Sequence, residues 1–336
     1  MNKIDNKTRP AVVRALGLSS GGLDSILSAL VLKDQGIEVA WVNFETPFFN
    51  SHKARRAARI MGIPLFVRNI TSVYVEMLKN PHCGYGGNMN PCLDCHALMF
   101  QLAGALMKKK GFDFLFSGEV LGQRPMSQTK PSLRYVEKNS GFEGYILRPL
   151  SAKRLAPTIA EEEGLVDRER LLEITGRGRK EQIKLAETFG ITDYPAPAGG
   201  CLLTDVGFSR RLRDLFKHQP SCKERDFELL KYGRHFRLDD QHKAIVGRTK
   251  EDNRQILKLM DPEKDITLRM ADMASPTVLI PCGAPEKIIH EAATLCATYS
   301  KTQQGARARV SVKGPGGSKI VTIVVVPRET YSENLI

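Results

Sequence analysis

The run Ser20-Gly21-Gly22-Leu23-Asp24-Ser25 sits between an apolar stretch at 11–18 and a helical pattern at 26–33. A strand that feeds a Ser-Gly-Gly turn and then a helix opens a parallel sheet, and it aims backbone N–H groups and a helix N-terminus at one point. Glycines at 21 and 22 let an anion come close to the backbone, and Ser20 and Ser25 supply hydroxyls. Asp24 is suited to hold the magnesium that accompanies a nucleotide. Residues 20–25, Leu23 included, are thus a candidate phosphate site that lacks the lysine of a Walker A loop.

The alternation of strand and helix continues. Strands at 38–44, 65–69 and 112–117, with helices at 51–61 and 93–110, predict an α/β domain with a doubly wound parallel sheet. Ligands of such sheets bind at the carboxyl ends of the strands. Asn43 and Phe44 are expected there beside an adenine base, with Ser117-Gly118-Glu119 facing the same crevice. Between Thr71 and Pro91 the periodicity fails, which predicts a short helix and then a loop punctuated by Pro81, Gly84, Gly86 and Gly87.

Beyond Leu203 shorter strands, expected at 235–238, 243–247, 265–270, 277–281, 308–313 and 319–326, surround helices at 250–260 and 285–302. This pattern predicts a smaller α+β domain, with the division at 1–205 and 206–336. The whole chain carries 50 Lys and Arg against 37 Asp and Glu, a net charge of +13, and residues 206–336 hold 23 basic and 16 acidic side chains. Such a balance favours an anionic macromolecule as partner. No apolar stretch is long enough to span a bilayer and the first ten residues lack the apolar core of a secretory signal, so a cytoplasmic protein with no membrane partner is expected.

Seven cysteines without a secretion signal argue for metal or thiol chemistry rather than a disulfide framework. Cys92 and Cys95 form a CxxC that opens the 93–110 helix, whose N-terminus favours thiolates by lowering their pKa. Cys201, on a Gly-Gly turn at 199–200, could close on the same centre. Spacing alone leaves zinc, with His82, Cys83, His96 or Cys222 as a fourth ligand, a redox pair and a larger cluster all open. Cys282 and Cys296 lie in apolar surroundings and are expected to pack in a core.

SGGLDS at 20–25 resembles the signature of the PP-loop pyrophosphatase superfamily, whose members split ATP into AMP and pyrophosphate while adenylating a second substrate. With NMNPCLDCH at 88–96, SGEVLGQRPMSQ at 117–128, LRPLSAK at 147–153, GRGRKEQ at 176–182 and PAGGCLLTD at 197–205, residues 11–205 are similar to the sulfurtransferase domain of the tRNA 4-thiouridine synthetase family, with kinship to tRNA 2-thiouridylases. The resemblance implies an adenine nucleotide alpha hydrolase-like fold, ATP and Mg2+ as cofactors, and a [4Fe-4S] cluster on Cys92, Cys95 and Cys201 with one iron left open. It implies ATP-dependent thiolation of a tRNA uridine, with Asp24 and the three cysteines essential. Gly118 joins residues 20–25, Asn43 and Phe44 in the expected nucleotide site. Arg148, Arg179 and Lys180 are candidates for pyrophosphate or the tRNA backbone, and Gln123 and Gln128 for nucleotide or base edges.

Only about ten residues precede the first strand, too few for the RNA-binding domain that some of these synthetases carry there, and no rhodanese domain is expected. The sulfur donor, sulfide or a cysteine desulfurase, is then a separate partner. Residues 245–253, 291–300 and 308–313 resemble the RNA-binding domain of the NFACT proteins, which would supply the contact with tRNA. A different reading is a PP-loop enzyme that adenylates and thiolates a small molecule, with zinc or a persulfide on a cysteine such as Cys83 in place of the cluster.

Overall fold

The computed structural model describes residues 12–194 and 201–336; the start of the first expected strand at Ala11, the segment 1–10 and the Gly-Gly turn at 199–200 lie outside the described residues. The chain divides into two compact units between Cys201 and Leu202, just ahead of the boundary expected after 205.

The first unit alternates β1 (Arg14–Leu18), α1 (Leu23–Asp34), β2 (Glu38–Glu45), α2 (His52–Met61), β3 (Leu65–Asn69), α3 (Thr71–Lys79), α4 (Cys92–Lys110), β4 (Phe114–Ser117), α5 (Lys130–Ser140), β5 (Ile146–Leu147), α6 (Ile159–Glu162) and α7 (Lys180–Thr188). Its five strands are all parallel, in the order β3-β2-β1-β4-β5. This is the doubly wound sheet that the sequence predicts. β2 buries Val39 to Phe44 without a break, because a parallel strand inside the sheet is covered on both faces. Trp41, Phe114 and Phe116 pack there against Ile26 and Leu27 of α1, and burying each large side chain contributes about 2–3 kcal/mol. α5, β5 and α7 have no counterpart among the expected elements. Two residues are too few for β5 to show a period, and α5 buries only Leu133, Val136 and Ser140.

The second unit contains α8 (Val206–His218), α9 (Glu224–Leu229), β6 (Arg234–Arg237), β7 (Lys243–Val246), α10 (Lys250–Leu259), β8 (Ile266–Met270), β9 (Val278–Ile280), α11 (Glu286–Thr298), β10 (Arg307–Gly314) and β11 (Gly317–Val324). Its six strands form an antiparallel sheet in the order β11-β10-β8-β9-β7-β6. Ile288, Ile289 and Ala292 of α11 pack on one face, against Leu268, Val310 and Val312. On the other face, Leu229 and Ile256 of α9 and α10 meet Ile245 and Leu279. Cys296 is buried in this core as expected, but Cys282 is not. It is exposed at a positive φ of 62° just past β9, where its N–H donates to Asp265 Oδ1 at 3.0 Å, so a local turn overrides its apolar neighbours. Among the described residues no helix is long and apolar enough to cross a membrane.

Candidate active site

The turn between β1 and α1 is held by its own hydroxyls. Gly21 N–H donates to Ser19 Oγ at 3.2 Å, Ser20 N–H donates to Ser25 Oγ at 3.3 Å, and the Ser20 and Ser25 hydroxyls lie 3.3 Å apart. Ser19 is therefore part of the turn, although it falls outside the SGGLDS run. Gly21 adopts φ +74°, and a Cβ there would stand 2.3 Å from the Lys53 carbonyl carbon, so only glycine fits. Gly22 caps α1, and Leu23 is buried in the core, where it anchors the first helical turn.

Asp24 stands in that first turn and is half-buried. Gln123 Nε2 donates to its Oδ2 at 3.2 Å, while its Oδ1 is buried with no hydrogen-bond partner among the described residues. Burial pushes its pKa up, against the lowering influence of the Gln123 hydrogen bond and the Arg179 and Arg124 charges. Gln182, fully buried beside Asp24, lowers the same pKa through its side chain, but at a geometry that leaves both of its amide atoms without a full hydrogen-bond partner among the described residues. Orphaned polar atoms beside a glycine cradle fit a magnesium-bound triphosphate. Arg124 and Gln182 were not singled out from the sequence, although Gln182 closes the GRGRKEQ motif and Arg124 stands inside SGEVLGQRPMSQ.

Asn43 and Phe44 separate, because successive strand residues point to opposite faces. Asn43 Nδ2 donates to the Ser19 carbonyl at 2.7 Å, and its buried Oδ1 has no partner among the described residues. Phe44 instead lines a cavity of about 410 Å³ with Arg68, Leu102 and Leu106, on the face covered by α4. Gln128 is buried, whereas Lys180 is exposed at the start of α7.

The end of β4 connects this turn to the cysteines. Gly118 packs on the backbone of Asp24 and Ser25, and Glu119 accepts from the His96 ring at 2.8 Å and from Arg148 Nε at 3.0 Å. Burial alone would raise the Glu119 pKa, but the Arg148 and His96 partners outweigh it and hold it at about 2. Arg148 also pairs with Glu137 and is only 2% exposed, so the expectation that it meets pyrophosphate or a tRNA backbone is corrected. Its Nε and Nη1 are held by Glu119 and Glu137, and its Nη2 is buried with no hydrogen-bond partner among the described residues.

His96 follows Cys95, which with Cys92 occupies the first turn of α4. Asn90 Nδ2 donates to Cys92 Sγ at 3.3 Å, and the buried Tyr74 hydroxyl hydrogen-bonds Cys95. Cys201, far along the chain, is close enough to Cys95 and Tyr74 to act on their ionisation. The lowered thiol pKa expected from the helix N-terminus is not found at Cys95. Burial pushes it up to about 12, and Cys201, Cys92 and Asp94 add to the rise against the Tyr74 hydrogen bond. Cys92 and Cys95 at the head of α4, with Cys201 near enough to act on Cys95, are thiol donors of the kind that a metal centre uses. A second group lies alongside. His82, Cys83 and Asp94 bring one ligand atom each to within 4.8 Å of one another, with Tyr135 donating to Asp94 Oδ1 at 2.9 Å. Cys222 belongs to the second unit, where its thiol donates to the Gln219 carbonyl at 3.0 Å.

The glycine turn after β1, Asp24 in the first turn of α1 and the CxxC at the head of α4 belong to one doubly wound α/β unit, which a basic α+β unit follows in sequence. Residues 11–159 match the family model of the thiamine biosynthesis protein ThiI, and residues 233–334 match the NFACT protein RNA binding domain. Two separate stretches of the chain are thus similar to known families, one to ThiI and one to the NFACT RNA binding domain. The tRNA-specific 2-thiouridylase MnmA of Saccharopolyspora erythraea is 29% identical over 165 residues, which cover 43% of this chain and 44% of that protein. MnmA 2 of a Thermoanaerobacter species (strain X514) is 26% identical over 237 residues, 60% of each chain. The chain therefore spans 44% and 60% of the lengths of these two relatives. A solved 4-thiouridine synthetase in complex with RNA and bound ATP covers 53% of this chain and 41% of its own, at 18% identity and a TM-score of 0.38.

Proposed function

We propose that this chain uses ATP to thiolate a uridine in tRNA. A uracil carbonyl oxygen is a poor leaving group, so it first attacks the α-phosphorus of ATP and expels pyrophosphate. Sulfur then adds at the ring carbon, and the oxygen departs with AMP. Residues 20–25 would cradle the phosphates, Asp24 would hold magnesium through its orphaned oxygen, and Arg124 and Arg179 would offset charge on the departing pyrophosphate. The observation that supports this reading is the run of contacts from Asp24 to Gly118 and from Glu119 to His96, the sequence neighbour of Cys95.

Cys92, Cys95 and Cys201 would hold a [4Fe-4S] cluster. Bound by three thiolates, such a cluster supplies one iron without a protein ligand, a place for the incoming sulfur atom. The donor of that sulfur is sulfide or a cysteine desulfurase, and the second unit supplies the grip on tRNA.

A second reading has one observation in its favour, the His82, Cys83 and Asp94 group, which suits zinc or an activated thiol and would serve an enzyme that thiolates a small molecule. Anaerobic purification with iron, sulfide and zinc analysis, followed by an ATP-dependent thiolation assay on a tRNA transcript, separates the two. The first reading expects about four irons per chain, lost on changing Cys92, Cys95 or Cys201, and thiolated tRNA. Zinc without iron, and no product on tRNA, would overturn it.

A further inference from the structure

The antiparallel sheet of the second unit is covered unevenly. α11 lies along one face, and α9 and α10 cover the other face only over β7 and β9. On β10 and β11, and at Arg269 of β8, the residues that point away from α11 stay open, whereas Thr267 of β8 is buried. Alternation assigns them: Ala308, Val310 and Val312 are buried under α11, whereas Arg307, Arg309 and Lys313 between them are exposed.

The register carries the same face across its neighbours. Arg269 of β8 stands opposite Ser311, Ile320 of β11 stands opposite Ser311 from the other side, and Val324 stands opposite Arg307. Ile320 and Val324 are 53% and 52% exposed, too open to be core residues. Their outward neighbours Ser318 and Thr322, opposite Lys313 and Arg309, are exposed as well. The outward positions of the three strands thus combine four cations, several hydroxyls and two aliphatic side chains, with no carboxylate. The nearest acid, Asp272, pairs with Arg309 at 3.4 Å, but both partners are more than half exposed and the pair is weak.

We propose that this open face of β8, β10 and β11 is the surface on which the second unit docks the tRNA backbone. The inference rests on the tRNA reading above and names the place of contact. Outward residues along a strand repeat about every 7 Å, so Arg307, Arg309 and Lys313 meet separate phosphates. Ile320 and Val324 offer an apolar rest for a ribose or base face between those contacts. No aromatic side chain stands among these outward positions, so the face grips backbone and shape rather than stacking a chosen base.

The test compares three full-length proteins binding one tRNA transcript across a salt series. The face variant carries Arg307→Ala, Arg309→Ala and Lys313→Ala. The control carries Lys287→Ala, Lys301→Ala and Lys319→Ala, which remove equal charge from the same unit; Lys319 lies on the opposite face of β11, paired with Glu286. The face variant should lose at least about tenfold in affinity near 0.15 M salt, and its salt slope should shrink by about two to three, while the control keeps the wild-type slope. Ile320→Ala should weaken binding with the slope unchanged. All these positions are exposed, and thermal unfolding close to wild type verifies that the fold persists. Wild-type affinity in the face variant, or an equal loss in the control, overturns the assignment while leaving the tRNA reading intact. If the wild type itself binds no tRNA, the reading on which the assignment rests has failed, and the assignment fails with it.

Discussion

Gly118 and Asp24 touch backbone to backbone: a Cβ at Gly118 would stand 2.5 Å from the Asp24 carbonyl carbon. The end of β4 therefore presses directly on the Ser-Gly-Gly turn, the candidate phosphate site. Gly118→Ala cannot be relieved by rotating a side chain, because the atoms in the way are main chain. Overpacking of this kind costs about 1–3 kcal/mol, and the turn moves to relieve it. Calorimetry should find ATP affinity at least about tenfold lower in Gly118→Ala with the fold intact; unchanged affinity would show that the turn tolerates the shift.

Asp24 is an aspartate whose pKa is raised by burial. The sign follows: relative to the unfolded chain it favours the fold below the ordinary aspartate range, and this is lost as pH rises through the raised folded value, so the ionised group is a cost at neutral pH. Asp24→Asn should leave the melting temperature unchanged or raise it by a few degrees while AMP formation drops by about 100-fold or more. A clear fall in melting temperature would mean that Asp24 is there for the fold.

Glu119 behaves in the opposite sense. Its pKa is held at about 2 by Arg148 and His96 against burial, so its contribution is complete above the usual glutamate range and disappears as pH falls toward about 2. Wild-type stability should therefore drop steeply below about pH 4.5, whereas Glu119→Gln should be flatter there and weaker at neutral pH by about 3 kcal/mol. Denaturant melts at several pH values would reveal the difference, and parallel acid curves would remove Glu119 from this role.

Cys83 and Cys201 provide a sharp contrast. Cys83 is exposed in the group with His82 and Asp94, while Cys201 acts on the thiol of Cys95. Cys201→Ala should abolish bound iron and tRNA thiolation, while Cys83→Ser should keep both within about twofold. The reverse pattern in iron analysis and thiolation assays would shift the chemistry to the His82 group.

Several features were legible in the chain because their causes are local. β3 spans Leu65–Asn69 as its apolar pattern predicts, and the Cys92 and Cys95 pair opens a helix as the helical pattern at 93–110 predicts. The Ser-Gly-Gly turn needs only a strand, two glycines and a helix start, all adjacent in sequence. The expectation that Arg148 meets pyrophosphate or a tRNA backbone fails because its burial depends on Glu119 and Glu137, residues separated from it in sequence and joined to it only by packing.

The sequence by itself determined the parallel sheet, the Ser-Gly-Gly turn and the CxxC helix, since each rests on residues within a few positions of one another. Tertiary structure alone decided that Gln182 and Arg124 surround Asp24, that Cys201 reaches Cys95, that Phe44 turns away from Asn43, and that the cations of β10 face open solvent. The physical reason is range. Backbone propensity and turn geometry act between neighbours, whereas burial and pairing depend on which distant segment covers a given face.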